Sequence, residues 1–191
     1  CDFAVEEVTS QALVQSRIWG VKVDLAVLTN IQKDHLEYHG GFENYRAAKG
    51  LLFGMTKNFV LPIEDPSFDY FNKFHADKKL TYGISHGDFN AENIQLFANG
   101  SNFLLKSPKG QIQVHMKIPG EFNISNALAA AAAASSFGVS LEAIKEGLLK
   151  VESIPGRLEV INVGQPFTVV VDYAHTPESL ESLLSFYRPL T

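Results

Sequence analysis

Six consecutive alanines, Ala129–Ala134, constrain the fold of this chain more than any other stretch. Alanine is the strongest helix former, so the tract reads as the middle of a helix from Asn123 to Phe137. A face built only of methyl groups is too small-sided for an amphipathic surface helix. It suits a helix packed closely on a sheet. Gly120 stands before this helix and Gly138 supplies its C-terminal stop, after which Ser140 caps a second helix running through Leu149. The sheet that these helices cover has to come from the preceding residues.

Two patterns supply strands. Phe3–Val8 and Leu25–Leu28 are short apolar-rich runs with helix-like text, Ser10–Ile18, between them, which is the β-α-β alternation of a parallel sheet. Phe42–Phe53 follows Gly40-Gly41 and spaces Phe42, Tyr45, Leu52 and Phe53 as an amphipathic helix. Asn58–Leu61 reads as a third strand and Asp65-Pro66 as a helix start. From Ile94 to Ile118 the apolar period changes to two, with Asn99-Gly100 and Lys109-Gly110 at hairpin positions, so an antiparallel meander is expected there. The fold class expected is therefore α/β, a mostly parallel sheet flanked by helices with an antiparallel β meander. Ser153-Ile154-Pro155-Gly156 breaks the second helix and marks a boundary. Residues 1–153 form the first domain, and 154–191 open another with strands over Leu158–Val163 and Phe167–Asp172 and a helix from Pro177.

Charge and composition narrow the function. With 16 Lys+Arg against 21 Asp+Glu, a net charge of -5 and a pI of 5.7, the chain lacks the clustered cations that counterion release from nucleic acid requires. Anionic ligands must be held locally. The single cysteine, Cys1, excludes an internal disulfide framework and fits a reducing cytoplasm, and no apolar run reaches the length of a membrane span. The opening residues, without Met or a basic leader, make the chain look cut from something longer.

Residues able to do chemistry fall where α/β proteins hold ligands, after the carboxyl ends of strands. Glu6-Glu7 can bind Mg²⁺ or merely precede the Thr9-Ser10 helix start as solvated acids. After the second run come Thr29-Asn30, Lys33-Asp34-His35 and His39-Gly40, whose imidazoles can ligate a metal, orient a phosphate or sit in a loop without a role. Lys49 lies near the apolar face of its helix. Its stem either snorkels to water, or its amine, neutralised by partial burial, reacts with carbon dioxide to give a carbamate, an oxygen ligand for Mg²⁺. Asp172-Tyr173-Ala174-His175-Thr176-Pro177 ends a Val-rich strand and opens a helix, a setting for phosphate or ribose contact. No G-x-x-x-x-G-K-[ST] loop occurs; if ATP is a substrate, its phosphate loop is expected upstream of Cys1.

In order, Glu7–Leu13 with Arg17, Thr29-Asn30, Asp34–Gly40, and Glu43-Asn44-Tyr45 through Lys49 resemble the Mur ligase family. Gly120–Asn123, Asn126–Ala130, Pro155-Gly156-Arg157 and Asp172–Pro177 continue the resemblance through almost the whole chain. Thr9 replaces the family's usual Ser and keeps the hydroxyl, Gln11 replaces a frequent His, and Gln32-Lys33 stand where an Arg or similar residue is common. Tyr38-His39-Gly40 and the Asp172–Pro177 block resemble those members that add the third amino acid of the peptidoglycan stem peptide.

The resemblance implies an ATP-dependent, ADP-forming amide ligase of three domains. Residues 1–153 would be its central ATPase domain without the phosphate-loop portion, and 154–191 the start of its Rossmann-like C-terminal domain. Its partners would be UDP-N-acetylmuramoyl-L-alanyl-D-glutamate, ATP and a diamino acid, L-lysine or meso-diaminopimelate. The choice between those two lies in a motif expected beyond Thr191. Carried over residue by residue, Glu7, His35 and carbamylated Lys49 resemble the Mg²⁺ ligands and catalytic groups. Thr9, Gln15 and Arg17 resemble contacts to the muramoyl-peptide substrate. Asn30, Asn126, Arg157, Asp172 and His175 resemble ATP-binding residues. A bacterial, cytoplasmic monomer is expected, inactive as this fragment alone. The other readings are a cyanophycin- or folylpolyglutamate-synthetase-like ligase and a non-catalytic relative that binds a nucleotide sugar. The joint presence of Glu7, His35 and Lys49 argues for catalysis.

Overall fold

The computed structural model describes residues 2–31 and 36–190 and divides into two compact units, Cys1–Tyr82 and Gly83–Thr191. In the first unit a short helix α1 (Ser10–Val14) precedes strand β1 (Ala26–Val27), helices α2 (Leu36–His39) and α3 (Phe42–Phe53), strand β2 (Asn58–Pro62), helix α4 (Phe68–Asn72) and strand β3 (Lys78–Tyr82). The strands form an all-parallel sheet in the order β1-β2-β3, with Ala26 opposite Phe59 and Asn58 opposite Lys78. Central β2 is buried on both faces, as a parallel strand between layers must be: Phe59, Val60 and Leu61 are fully enclosed. Phe59 and Leu61 join Ala26, Leu28, Ile31, Tyr45, Phe53 and Phe71 in one core. Phe53 is its aromatic centre, meeting Phe59 edge-on at 5.1 Å and Phe71 at a tilt at 4.9 Å.

The strand expected over Phe3–Val8 does not form. These residues are irregular and mostly exposed, Val5 completely so; a strand exists through its partners, and among the described residues none pairs with this segment. Helix α4 also begins later than Asp65-Pro66 suggests. The Asp65 carboxylate accepts from the Ser67 amide at 2.7 Å, which favours a turn before the helix opens at Phe68. Strand β3 carries no clear alternation in Lys78-Lys79-Leu80-Thr81-Tyr82 and is recruited by the edge of β2.

The second unit opens with the expected meander, β4 (Asn90–Phe97), β5 (Gly100–Ser107) and β6 (Gly110–Met116), starting before Ile94. Its turns are centred one residue earlier than expected, on Ala98-Asn99 and Pro108-Lys109, because Phe97 pairs with Gly100 and Ser107 with Gly110. Gly100 is thus a strand residue, and its lack of a side chain matters for another reason. A Cβ there would stand 2.5 Å from the Met116 carbonyl oxygen. The alanine-rich helix α5 (Glu121–Ser136) packs on β4 and β5, with Ala127, Ala129, Ala131 and Ala132 buried, and α6 (Leu141–Lys150) packs on β6. Ser140 caps α6 through the Ala143 amide. A two-stranded antiparallel sheet, β7 (Glu159–Ile161) and β8 (Val169–Val171), and helix α7 (Pro177–Tyr187) follow, before a final 3₁₀ turn at Arg188–Leu190. Among the described residues no helix is long and apolar enough to cross a membrane.

Candidate functional site

Each unit carries part of the expected site. In the first, Thr9 is the N-cap of α1, its hydroxyl accepting from the Ala12 amide at 3.1 Å. The far end of α1 closes in a Schellman arrangement: the Ser16 amide donates to Leu13 and the Arg17 amide to Ala12. Glycine usually occupies the left-handed position of that motif, but here Ser16 does so with φ 55°. Thr9, Gln15 and Arg17 therefore sit at the two ends of one five-residue helix, the last two exposed. Glu7 lies two residues ahead of the cap and is exposed.

Helix α1 packs on α3, which brings further groups to it. The His39 Nε2 is 2.9 Å from the Oγ of buried Ser10, and the Gln15 Nε2 donates to the Tyr38 hydroxyl at 3.0 Å. The His39 ring is tilted against Tyr45 at 5.5 Å, and Lys49, half-buried on the next turn of α3, holds its Nζ 5.9 Å from the Tyr45 ring. The run of contacts Gln15–Tyr38, Ser10–His39–Tyr45–Lys49 thus joins α1, α2 and α3. Gln15, His39 and Lys49 are legible in the sequence as candidate site residues, and Tyr38 as part of the Tyr38-His39-Gly40 run, but their pairing is not. Ser10, Tyr38 and His39 meet partners 23 to 29 residues away, which no local pattern encodes.

Asn30 is exposed, and the backbone around it is fixed from two sides. The Asp65 carboxylate accepts the Ile31 amide at 2.9 Å, while the Tyr82 hydroxyl lies 2.8 and 2.9 Å from the Leu28 and Thr29 carbonyls. Burial pushes the Tyr82 phenol above the usual tyrosine range, and the Asp65 carboxylate adds to that shift. His35 lies outside the described residues. Among those described, no group of three His, Cys, Asp or Glu side chains is placed to hold a metal ion; of the expected ligands there remain Glu7 and Lys49.

In the second unit, Asp172 organises its surroundings. Its carboxylate accepts from the Leu158 amide at 2.8 Å and the Ala174 amide at 2.7 Å, and the Tyr173 amide donates to the Gly156 carbonyl. These bonds hold the Pro155-Gly156-Arg157 turn against the Asp172–Pro177 block. The Arg157 guanidinium lies 5.5 Å from the Tyr173 ring centroid, and that ring meets His175 edge-on at 4.9 Å. His175 Nδ1 is 2.9 Å from the Tyr173 carbonyl, immediately before the capping box of Thr176 and Ser179 that starts α7. Arg157, Asp172 and His175 are thus neighbours. At the start of α5, Asn123 is buried and donates to the Pro119 carbonyl, while exposed Asn126 leans on it at 3.3 Å. Gly120 admits the Leu158 side chain there: a Cβ on it would meet the Leu158 Cδ1 at 3.1 Å.

A parallel three-stranded α/β unit and an antiparallel meander under an alanine-rich helix, each carrying one of these clusters, place the chain in the α/β class. Residues 1–134 match the Mur ligase middle domain, and the chain belongs to the Mur ligase family. It is 45% identical over 99% of its length to the UDP-N-acetylmuramoyl-L-alanyl-D-glutamate--2,6-diaminopimelate ligase of Geobacillus kaustophilus (strain HTA426), of which it covers 41%. A solved structure of a UDP-N-acetylmuramoyl-L-alanyl-D-glutamate--2,6-diaminopimelate ligase superimposes with a TM-score of 0.82 at 33% identity, over 95% of this chain and 39% of that one. MurF from Acinetobacter baumannii superimposes with a TM-score of 0.80 at 28% identity, over 87% of this chain and 38% of that one. The chain spans about two fifths of the length of the curated relatives it matches.

Proposed function

We propose that the protein carrying this chain is an ATP-dependent ligase that joins 2,6-diaminopimelate to UDP-N-acetylmuramoyl-L-alanyl-D-glutamate in peptidoglycan synthesis. Residues 1–153 belong to its ATP-handling middle domain and residues 154–191 open its C-terminal domain. The observation that carries this reading is the continuous set of contacts from Gln15 and Ser10 through Tyr38, His39 and Tyr45 to Lys49. It links Gln15, read as a substrate contact, to Lys49, read as the metal-site lysine, through the packed helices α1 and α3, which supports a shared site. The diamino acid is the one in the relatives' names.

In this reaction a D-glutamyl carboxylate oxygen attacks the terminal phosphorus of ATP, giving an acyl phosphate and ADP. The diamino acid's amine then attacks the acyl carbon, an amide forms, and phosphate and a proton leave. Such chemistry rests on positioning and charge stabilisation. Thr9, Gln15 and Arg17 hold the muramoyl-peptide. Asn30 and Asn126 contact the nucleotide, and Arg157, Asp172 and His175 bring the C-terminal domain's groups to it.

Mg²⁺ prefers oxygen donors; Glu7 and a Lys49 carbamate would supply them, and the family resemblance adds the His35 nitrogen as a further ligand. When bound, the ion neutralises the phosphate charge that develops during transfer. Lys49 is half-buried on α3, and carbamylation there would proceed through its neutral amine. Its nitrogen attacks carbon dioxide, and the carbamate forms with loss of one proton.

The test is ADP release by the full-length protein. Release is expected only when ATP, the UDP-muramoyl-dipeptide and diaminopimelate are all present, with lysine a poorer substitute. Release driven instead by a folate and glutamate, or none with any amino acid, would refute the reading.

A further inference from the structure

We propose that Tyr38 and His39 are positioning residues that set the geometry of the substrate-contacting segment Thr9–Arg17; this rests on the function proposed above. Helix α1 has only five residues, too few to hold itself together in water. Its shape must come from outside. Two adjacent residues of α2 supply it at both ends: His39 reaches the first helical residue, Ser10, at 2.9 Å, and Tyr38 accepts from the C-cap residue, Gln15, at 3.0 Å.

The two grips differ in surroundings. Ser10 is 2% exposed, so its bond to His39 is shielded and fixes Thr9 beside it. Tyr38 is half exposed, and its hydroxyl selects one orientation of an otherwise mobile Gln15 amide. The His39 ring is itself held, edge-on to Tyr38 at 4.9 Å and tilted against Tyr45 at 5.5 Å. The His39 carbonyl accepts from the Asn44 side chain at 2.9 Å. Gly40 and Gly41 follow with φ 69° and 135°, values that let the chain double back from α2 into α3. The Tyr-His-Gly-Gly run is therefore a clamp and the turn that aims it. Arg17 benefits indirectly, since its amide closes the Schellman motif one residue beyond the left-handed Ser16.

The full-length protein is assayed for ADP release with the UDP-muramoyl-dipeptide or ATP varied in turn, and each variant's Tm is measured alongside. Tyr38→Phe removes one hydroxyl and keeps the ring. It is expected to raise KM for the muramoyl-dipeptide about 3- to 10-fold, the usual weight of one hydrogen bond, while KM for ATP moves less than about 2-fold. In a Gln15→Ala background the same change adds less than about 2-fold, because the two act through one bond. His39→Ala raises the same KM, and His39→Gln, whose amide can reach the Ser10 hydroxyl, recovers most of the loss. The proposal is overturned if Tyr38→Phe leaves the dipeptide KM unchanged or keeps its full effect without Gln15. It also falls if KM for ATP shifts equally or His39→Gln is no better than His39→Ala. An unaltered protein that ignores the dipeptide would instead sink the functional reading, and this inference with it, before any variant is compared.

Discussion

Asp65 ties together two segments far apart in sequence, and removing its carboxylate has a cost that can be worked from the geometry. It accepts the Ile31 amide at 2.9 Å and the Ser67 amide at 2.7 Å, and those residues are 7% and 2% exposed. In Asp65→Ala both amides lose their acceptor in places where water enters poorly. An unsatisfied buried donor costs about 1–3 kcal/mol. Because Asp65 is itself only half-buried, the lower part of the range applies, and the two together amount to about 2–4 kcal/mol. Asp65→Asn keeps one acceptor oxygen and turns an NH₂ toward the other amide, so about half of that loss is expected. Against a typical total of about 5–15 kcal/mol either change is large. Urea unfolding followed by circular dichroism measures it, and amide hydrogen exchange at Ile31 and Ser67 localises it. A loss under about 1 kcal/mol for Asp65→Ala, or unchanged exchange at both amides, would refute the reasoning. In the full-length protein the same variant should weaken ATP binding through the loosened Asn30 segment.

Gly100→Ala places a Cβ against the Met116 carbonyl oxygen and should destabilise the protein by about 1–3 kcal/mol. Gly147→Ala, inside α6 with nothing within 4 Å, should stabilise it by about 0.5–1 kcal/mol; thermal melts of the pair check both signs. Tyr82 has its folded pKa raised, so its contribution is fully present below the unfolded tyrosine value of about 10 and fades as pH rises beyond that. Unfolding free energies at about pH 8 and about pH 11 should show a smaller alkaline loss for Tyr82→Phe than for the unaltered protein. In the full-length protein Lys49→Ala should lower turnover by more than the roughly 10–100-fold typical of losing a metal's outer-shell partner, and added short-chain carboxylic acids should partly restore it. A variant that kept most of its activity, or that no acid rescued, would return Lys49 to the role of an ordinary half-buried cation.

What the sequence made legible was whatever is encoded over a few neighbouring residues. Helices α3, α5, α6 and α7 carry their own periodicity, propensity or start signals, such as the Ser140 cap and Pro177 in the first turn of α7, and the meander carries its period of two. Phe3–Val8 has the apolar content of a strand but no pairing partner among the described residues, whereas β3 lacks a strand pattern of its own and is made one by its partner, β2. The glycines of both hairpins open the following strands instead of sitting in the turns, and Gly100 answers to the Met116 carbonyl across the sheet. The site divides in the same way. Lys49 and the Asp172–Pro177 block stood out as local oddities, whereas the Ser10–His39 and Gln15–Tyr38 pairs depend on α1 lying on α3.

The contrast between the two sheets has a consequence in time. The meander joins its strands through two-residue turns, whereas β1 must find β2 across α2 and α3, and β2 must find β3 across α4. Closing a short loop costs less entropy than closing a long one, and parallel pairing by crossover is slow for that reason. During refolding, amides of β4–β6 should become protected in pulse-labelling before those of β2 and β3. The scaffold of α5 is then in place while the segment bearing Lys49 is still searching for its sheet.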